Sequence, residues 1–335
     1  MKKHSNLAVF IPNIGCKYRC IFCDQTRVSG RSEQPTAETL FSFLQQALQK
    51  QPDPEHIEIA FFGGSFTALP LSYIEALLAV AYEFIKAERV SGIRISTRPD
   101  AIDDNILQLL KVYGVTAIEL GAQSMNDELL ILNRRGHTAA DVEHASVLIK
   151  QHSFSLGLQM MIGIYGADDS LGDALYTASC FIKLKPDTVR IYPTLVLEAT
   201  ELERIYLNQG YIPLSLDDAV SITAQLLIHF EQAGIKVIRM GLHSEMSLQQ
   251  NIIAGPFHPA FGELVRSSVY KQQLEHELSH MKQGHYSVLV ASKNIGAAVG
   301  LKKSNLLHFK ESGYILKIRG CDELEGYDFR IVVSE

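Results

Sequence analysis

Three cysteines near the N-terminus constrain this chain more than any other feature. Cys16, Cys20 and Cys23 are spaced C-x3-C-x2-C and follow a short apolar stretch at residues 7–12, which predicts a strand. This spacing lets one loop direct three thiolates at one inorganic site, and thiolates are the soft ligands that iron–sulfur clusters need. A cubane with only three protein ligands keeps one iron open to another molecule, much as catalytic zinc sites keep an open position.

Two other uses of these cysteines compete with a cluster. A structural zinc site usually has a second cysteine pair or a histidine pair within a few tens of residues, and the sequence shows neither. Disulfides are disfavoured because five cysteines are an odd number and no secretory signal precedes them. The remaining cysteines, Cys180 and Cys321, are most simply packing or surface residues.

Length and charge limit the class of protein. With 335 residues, of which 47% are hydrophobic, the chain forms either one barrel-sized domain with an appendage or two domains. A formal net charge of -6 argues against tight nonspecific binding to nucleic acid, although a local basic patch remains open. No apolar stretch reaches the roughly 18–20 residues of a membrane helix, so we expect a cytoplasmic protein without membrane contact.

The chain alternates between apolar, strand-like segments and segments with the periodicity of amphipathic helices. Strands are predicted at residues 56–62, 93–97, 115–120, 154–164, 189–192 and 236–240, and helices at 35–51, 71–87, 102–112, 138–151, 171–184 and 216–233. With the strand before the cysteines, this order predicts an α/β fold with about seven parallel strands covered by helices. We expect a partial barrel whose functional groups lie at the carboxyl ends of the strands.

Polar and glycine residues follow the predicted strands. Gly63, Gly64 and Ser65 end a buried strand, and such a turn is either an ordinary connection or a backbone that a ligand approaches closely. Farther along the chain, Gln123 and Ser124 are short polar groups suited to ribose hydroxyls.

Three more polar residues accompany the fourth and fifth predicted strands. Arg135 offers a fork of donors that suits a carboxylate. Glu119 lies within an apolar strand, where we expect a partner inside the barrel because an unpaired buried carboxylate is costly. Gln159, also in a buried strand, either hydrogen-bonds the core or faces a ligand.

The cysteine spacing, placed after a strand near the N-terminus, resembles that of radical S-adenosylmethionine (SAM) enzymes. The resemblance implies a 4Fe-4S cluster held by Cys16, Cys20 and Cys23, with SAM chelating the open iron. It implies SAM contacts from the following residues: Phe22 near adenine, the turn of Gly63, Gly64 and Ser65 at the methionine amino group, and Gln123, Ser124, Arg135 and Gln159 around the rest of the cofactor.

Later motifs narrow the resemblance. Residues 95–100, 119–124, 135–138, 191–196 and 208–211 look like the radical SAM core of the Elongator catalytic subunit family, which modifies wobble uridines of tRNA. The resemblance covers roughly residues 5–242 and implies a (βα)6-type, TIM-like partial barrel. More distantly, the core is similar to the oxygen-independent coproporphyrinogen dehydrogenase group.

The chain also departs from the Elongator pattern. Its cysteine spacing is more compact, and Ser96 stands where that family commonly has a glutamate. No acetyltransferase domain is expected after the core and no lysine-rich extension before it, which puts acetyl transfer to uridine in doubt. We expect residues 1–242 to form the barrel and residues 243–335 a small α+β extension that serves as a cap on the substrate side.

The resemblance implies a function. One electron from the reduced cluster cleaves SAM to methionine and a 5'-deoxyadenosyl radical, which abstracts hydrogen from a substrate, hypothetically a tRNA uridine flipped out of its stack. An electron donor of the flavodoxin or ferredoxin type is implied as a partner. Two alternatives stay open: a radical SAM enzyme for a small molecule, and a non-catalytic carrier of a cluster or tetrapyrrole with His243 and His258 as axial ligands.

Overall fold

A seven-stranded parallel sheet forms the larger part of the molecule. The computed structural model describes residues 5–12, 14–16, 19–30, 33–49, 56–243 and 246–333. The strands of this sheet pair in the order β1-β2-β3-β4-β5-β6-β8, and each neighbouring pair is parallel. Helices connect successive strands, so the sheet curls into a partial barrel. The predicted α/β partial barrel is therefore confirmed.

The strands and helices occur in a regular order along the chain. The strands are β1 (Ser5–Ile11), β2 (Ile57–Gly63), β3 (Gly92–Thr97), β4 (Val115–Gln123), β5 (Ser155–Ile162), β6 (Thr188–Pro193), β7 (Val196–Leu197), β8 (Lys236–Met240), β9 (Ile252–Ala254), β10 (Gly284–Ala291), β11 (Tyr314–Cys321) and β12 (Phe329–Val333). The helices are α1 (Gln25–Ser29), α2 (Ala37–Gln49), α3 (Leu71–Lys86), α4 (Asp104–Val112), α5 (Asp127–Leu132), α6 (Ala139–Gln151), α7 (Ser170–Leu184), α8 (Glu201–Leu207), α9 (Leu216–Gln232), α10 (Met246–Gln250), α11 (Phe261–Ser279), α12 (Ile295–Val299) and α13 (Ser304–Glu311).

Local sequence explains where the barrel helices begin and which face they bury. In α2, Leu40, Leu44 and Leu48 recur every fourth residue, and all three are buried against the sheet. Thr138 caps α6 by accepting from the backbone N–H of Asp141, whose carboxylate accepts from the Thr138 N–H in return. Residues 50–51, the end of the predicted first helix, lie outside the described residues.

A second, smaller sheet follows the barrel. It has the order β11-β10-β12, with β10 parallel to β11 and antiparallel to β12. Its own core contains Val288, Phe309 and Leu316, together with the second half of α11. The first half of α11 contributes Phe261 and Val265 to the barrel core instead. One helix therefore belongs to both cores.

Some elements were not predicted. The strands β7 and β9 form a small antiparallel pair, and α5 and α8 are short helices after β4 and β7. Among the described residues, none of the helices combines the length and the apolar character needed to cross a bilayer.

Candidate active site

The cysteine loop and the turn after β2 are held together backbone to backbone. The Gly64 N–H donates to Ile11 O at 2.7 Å, and the Ser65 N–H donates to Ile14 O at 3.2 Å. A Cβ on Gly64 would lie 2.0 Å from Ile14 O, and one on Gly15 would lie 2.2 Å from Ser65 O. Only residues without a Cβ permit this approach. The two glycines thus position the cysteine loop over the carboxyl end of β2.

All three predicted cluster cysteines line one cavity. Cys16 Sγ lies 3.6 Å from Ser65 Oγ, and Cys23 Sγ accepts a hydrogen bond from Gln25 Nε2 at 3.3 Å. Burial, together with the neighbouring Cys20 and Cys16, raises the pKa of Cys23 to about 12, while Gln25 and Arg135 oppose the rise. Cys20 and Cys16 affect the pKa of Cys23 because the three thiols lie close together.

Arg135 directs positive charge at one of these sulfurs. Its Nη1 donates to Cys20 Sγ at 2.9 Å and its Nη2 to Gly121 O at 2.5 Å. A charged donor at this distance forms a charge-assisted hydrogen bond to the sulfur. Its Nε is buried and has no hydrogen-bond partner among the described residues. Arg135 lines the cavity as predicted, but its two terminal nitrogens contact the protein.

Gln123 and Ser124, which were both predicted to contact the cofactor, lie on different sides at the end of β4. Gln123 lines the cavity, with a left-handed φ of 71° at a register shift that begins at Gly121. Ser124 does not reach the cavity. It is fully buried on the other side, donates to Asp173 Oδ1 at 3.1 Å, and lies 3.4 Å from Thr177 Oγ1. The strand ends at Gln123, whose left-handed backbone breaks the strand geometry, and Ser124 beyond it turns into the core.

The barrel interior beneath the cavity contains a network of buried charges. Glu119, 1% exposed, contacts Arg190 with an Oε2–Nε distance of 2.6 Å and accepts from Arg94 at 3.3 Å. Arg94 also donates to Glu58 at 2.9 Å. Gln159 Nε2 donates to Glu119 at 2.8 Å. The prediction that Glu119 has a partner inside the barrel is confirmed, and the network anchors Gln159 at the cavity floor.

The cavity includes residues that sequence reasoning did not assign to the site. Arg190 lies over the Phe62 ring at 5.1 Å from its centroid, and Tyr192 follows on the same strand. His243 packs edge-on against Phe10, with ring centroids 5.8 Å apart. Burial, with Arg239 and Arg190, lowers the pKa of His243 to about 4, so its imidazole is neutral at pH 7.

Some of these residues had a detectable signal in the sequence. A charge within an otherwise apolar strand drew attention to Glu119, and the same signal marks Arg190 in β6. His243 was considered only as an axial ligand together with His258. His258 does not line the cavity, and its Nδ1 accepts from the Ala260 N–H at 3.0 Å.

The complete cavity has a volume of about 240 Å³ at the carboxyl ends of the strands. Of the predicted site residues, it is lined by Cys16, Cys20, Phe22, Cys23, Gly63, Gly64, Ser65, Gln123, Arg135 and Gln159. Its other walls include Phe10, Phe62, Met161, Tyr192, Leu195 and His243.

This donor set fits an iron–sulfur cluster with a polar ligand beside it. The described residues contain no group of three His, Cys, Asp or Glu side chains arranged around a single metal ion. A cubane does not need one, because each thiolate binds a different iron. Gln123 Oε1 is buried without a hydrogen-bond partner among the described residues, although it lines the cavity. A buried acceptor in this state fits a ligand that donates a hydrogen bond.

The fold and the site define a radical SAM protein, and family comparison agrees. Residues 10–175 match the radical SAM superfamily, and residues 186–271 match the radical SAM C-terminal domain. The chain belongs to the radical SAM superfamily and is an enzyme of that class. The cofactors of the superfamily are a 4Fe-4S cluster and SAM.

Within the superfamily, the chain is similar to tRNA-modifying proteins. It is 29% identical over 242 residues to a tRNA uridine(34) acetyltransferase of Methanocaldococcus jannaschii, covering 61% of this chain and 44% of that protein. It is 26% identical over 206 residues to human Elongator complex protein 3, covering 55% of this chain and 37% of that protein. The chain therefore spans less than half the length of these curated relatives.

Solved structures support the fold. The archaeal Elp3 of Methanocaldococcus infernus, lacking part of its N-terminus, superposes with a TM-score of 0.64 and 20% identity, covering 83% of this chain and 64% of that one. Coproporphyrinogen III oxidase (HemN) of Escherichia coli superposes with a TM-score of 0.50 and 16% identity, covering 70% of this chain and 54% of that one.

Proposed function

We propose that this chain cleaves SAM reductively and uses the resulting radical to modify a wobble uridine of tRNA. One observation carries the tRNA assignment: similarity to a tRNA uridine(34) acetyltransferase extends over 61% of this chain at 29% identity. The SAM chemistry is supported by the three thiols of one loop on a single cavity. Acetyl transfer is not part of the proposal.

The three thiolates of Cys16, Cys20 and Cys23 would hold the cluster. When bound and reduced, such a cluster would supply the one electron needed for cleavage of SAM to methionine and a 5'-deoxyadenosyl radical. Arg135 stabilises the charge on the Cys20 sulfur through its 2.9 Å contact. Hydrogen bonds to cluster sulfurs and their ligands tune a cluster's reduction potential. Among the described residues, Arg135, Gln25 and Ser65 are placed to do so.

The rest of the cavity would position SAM and the substrate. Gly63, Gly64 and Ser65 present backbone beside the cysteine loop, and Gln123 Oε1 is an acceptor without a partner among the described residues. Phe22 offers an aromatic face to the adenine. Because the Gln159 amide nitrogen is bound to Glu119, its oxygen remains to accept a hydrogen bond from the ligand.

Apolar side chains would exclude water from the reacting atoms. Phe10, Phe62, Met161 and Leu195 form apolar parts of the cavity wall. A radical needs such shielding, because it reacts with whatever group lies nearest, and a closed, oriented pocket restricts that choice.

The proposed reaction needs a reductant and a division of roles along the chain. A flavodoxin- or ferredoxin-type protein would deliver the electron in the cytoplasm. Residues 1–242 would carry the chemistry, and residues 243–335 would form the substrate-side extension.

Modified-nucleoside analysis tests the tRNA assignment. The gene is deleted, and tRNA from the deletion strain, the parent and two complemented strains is digested and compared by mass spectrometry. One complement carries Cys20→Ala and the other carries Cys180→Ser, whose thiol lies on α7 outside the cavity. We expect one uridine modification to disappear in the deletion strain, to return with Cys180→Ser and to stay absent with Cys20→Ala.

Anaerobic assay in vitro separates the parts of the proposal. The reconstituted protein with dithionite and SAM should release 5'-deoxyadenosine, detected by chromatography. Release of 5'-deoxyadenosine with an unchanged tRNA profile would leave a radical SAM enzyme for another substrate, including a small molecule. Protein that binds a cluster but never cleaves SAM would instead be a carrier, and the whole proposal would fail.

A further inference from the structure

The outer face of the small C-terminal sheet carries charges that the cavity does not use. Side chains of a strand alternate between its two faces. Tyr286, Val288 and Val290 of β10 face the core that contains α11 and α13. His285, Ser287 and Leu289 therefore lie on the opposite face, which is called the outer face below.

The register places the neighbouring strands' side chains on this outer face. Ile315, Lys317 and Arg319 of β11 pair with His285, Ser287 and Leu289, while Arg330 and Val332 of β12 pair with Leu289 and Ser287. All five of these β11 and β12 residues are exposed, and Ile315 and Val332 are each 48% exposed. The helices that cover the sheet lie on its other side.

The outer face is positively charged in a chain whose net charge is -6. It carries Lys317, Arg319 and Arg330, and the described residues of β10, β11 and β12 place no carboxylate on it. Glu323, in the turn after β11, approaches Arg330 at 3.8 Å, but both side chains are more than half exposed. Such an exposed pair is weak and leaves Arg330 able to contact another anion.

We propose that the outer face binds the phosphate backbone of RNA, an inference that rests on the proposed tRNA substrate. Neighbouring strands lie about 4.8 Å apart, so Arg319 and Arg330, on either side of Leu289, are separated by roughly 10 Å. Lys317 lies about 7 Å along β11 from Arg319. Three separated cations on a flat surface match a polyanion whose charges are likewise spaced along a chain.

The chemistry of the outer face favours backbone contact over base recognition. Sheets that read RNA bases present several aromatic side chains for stacking, whereas the described residues of this face include one aromatic ring, the imidazole of His285. Lysine and arginine contacts to phosphate position a nucleic acid without reading its sequence. The outer face therefore contributes affinity, while choice of the target uridine belongs to the cavity.

The outer face is fixed to the barrel. The helix α11 continues from the barrel core into the core of the small sheet, and its Gln272 Nε2 donates to Ser221 Oγ of α9 at 3.2 Å. Tyr327, in the turn before β12, packs against both cores. RNA held on the outer face is thus held at a fixed position relative to the cavity.

Binding measurements with an unmodified tRNA transcript test the proposal. The purified protein, the triple variant K317Q/R319Q/R330Q and the control K86Q/K111Q/K183Q are titrated at several salt concentrations by fluorescence anisotropy. The control removes three exposed lysines from the barrel helices α3, α4 and α7, so both variants change the net charge equally.

We expect the triple variant to bind at least about tenfold more weakly at 0.1 M salt, with a salt slope smaller by about 2 to 3. The control should match the unmodified protein. Equal loss in both variants would show a general charge effect and overturn the proposal, as would unchanged binding by the triple variant. Circular dichroism melting confirms that each variant is folded.

A footprinting measurement needs no variant. Lysine acylation of the unmodified protein, read by mass spectrometry, should show Lys317 protected by tRNA and Lys183 still reactive. Protection of Lys317 by self-association without RNA would instead identify a contact between copies of the chain and overturn the proposal. If the unmodified protein binds no tRNA, the proposed tRNA substrate fails as well; if it binds tRNA with Lys317 reactive, only the outer-face proposal fails.

Discussion

The barrel interior and the outer face of the small sheet both collect charged side chains, but they do so in opposite ways. In the barrel, Glu119, Arg94 and Arg190 are buried and satisfy one another. On the outer face, Arg319 and Arg330 are exposed and are separated by Leu289. A buried network fails when one member is lost, because its partners keep an uncompensated charge. In an exposed set of like charges, the loss of one member weakens anion binding only in part and leaves the fold intact.

The largest effect is expected from a substitution in the cysteine loop at the top of the barrel. We expect Cys20→Ser to abolish cluster assembly and SAM cleavage, because it removes one of the three thiolates and the sulfur that Arg135 contacts. Iron analysis and the absorbance of the reconstituted protein measure the effect. Cys180→Ser serves as the matched control and should keep its full iron content. A Cys20→Ser protein with a complete cluster would contradict the ligand assignment.

The second-largest effect is expected at the close contact between Gly64 and the cysteine loop. Gly64→Ala would place a methyl group 2.0 Å from Ile14 O, so the cysteine loop has to move and most of the cluster should be lost. Gly296→Ala, in α12, is the control because no atom lies within 4 Å of the added methyl. The control should unfold at an unchanged or slightly higher temperature. Equal iron content in both variants would show that the loop tolerates displacement.

Inside the barrel, Glu119→Gln tests the buried network. The substitution leaves Arg190 without its carboxylate partner, and we expect the free energy of unfolding to fall by about 3–5 kcal/mol. Denaturant titration measures this loss. Glu83→Gln, which breaks an exposed pair with Lys86 on α3, should change stability little. Similar losses in the two variants would remove the distinction between buried and exposed charge.

A pH effect of intermediate size comes from His137. Burial and the nearby Arg135 lower its pKa to about 4, and its Nε2 lies 3.2 Å from Ala122 O. In the unfolded chain His137 binds a proton as the pH falls through about 6.5, whereas in the folded chain it stays neutral until the pH approaches 4. Its contribution to stability is therefore complete above pH 6.5 and falls towards pH 4. The loss attributable to this group is at most about 3 kcal/mol.

Thermal unfolding between pH 7 and pH 4.5 measures that loss. His137→Gln keeps a donor for Ala122 O but cannot titrate, so its melting temperature should fall less over this range than that of the unmodified protein. Parallel curves for the two proteins would show that folding does not lower the pKa of His137.

The smallest effect is expected on the outer face. Arg319→Gln and Lys317→Gln should each change the free energy of unfolding by less than about 0.5 kcal/mol, since both side chains are exposed on a folded sheet. Denaturant titration checks this value. A large loss would mean that these residues support the sheet itself and are not available to bind RNA.

Much of the barrel was predictable because its signals are local. Each strand is an apolar run and each helix has a period near four, so the alternation of β2, α3 and β3 could be read directly. The strands β7 and β9 could not be found in this way. They have two and three residues, and they pair across a separation that includes α8, α9 and β8, so no local pattern marks them.

Site residues were predictable where they directly follow strands of the parallel sheet. The cysteines and the Gly63–Gly64 turn follow strands that end at the same edge, and they meet at the cavity. Ser124 was misplaced because adjacency in sequence was taken for adjacency in space, although the left-handed backbone of Gln123 at the end of β4 turns Ser124 away from the cavity. His243 was considered only as an axial ligand in the carrier alternative, because only the folded chain shows which residues after β8 return to the cavity.

The sharing of α11 between two cores has a consequence for the chain as a whole. Loss of the small sheet's core would expose Tyr270 and Leu274, and fraying of the helix from that end would then reach Val265 in the barrel. The two parts are therefore expected to melt as one cooperative unit, with a single calorimetric peak. A fragment cut within this helix would lack the partner that either half needs to stay folded.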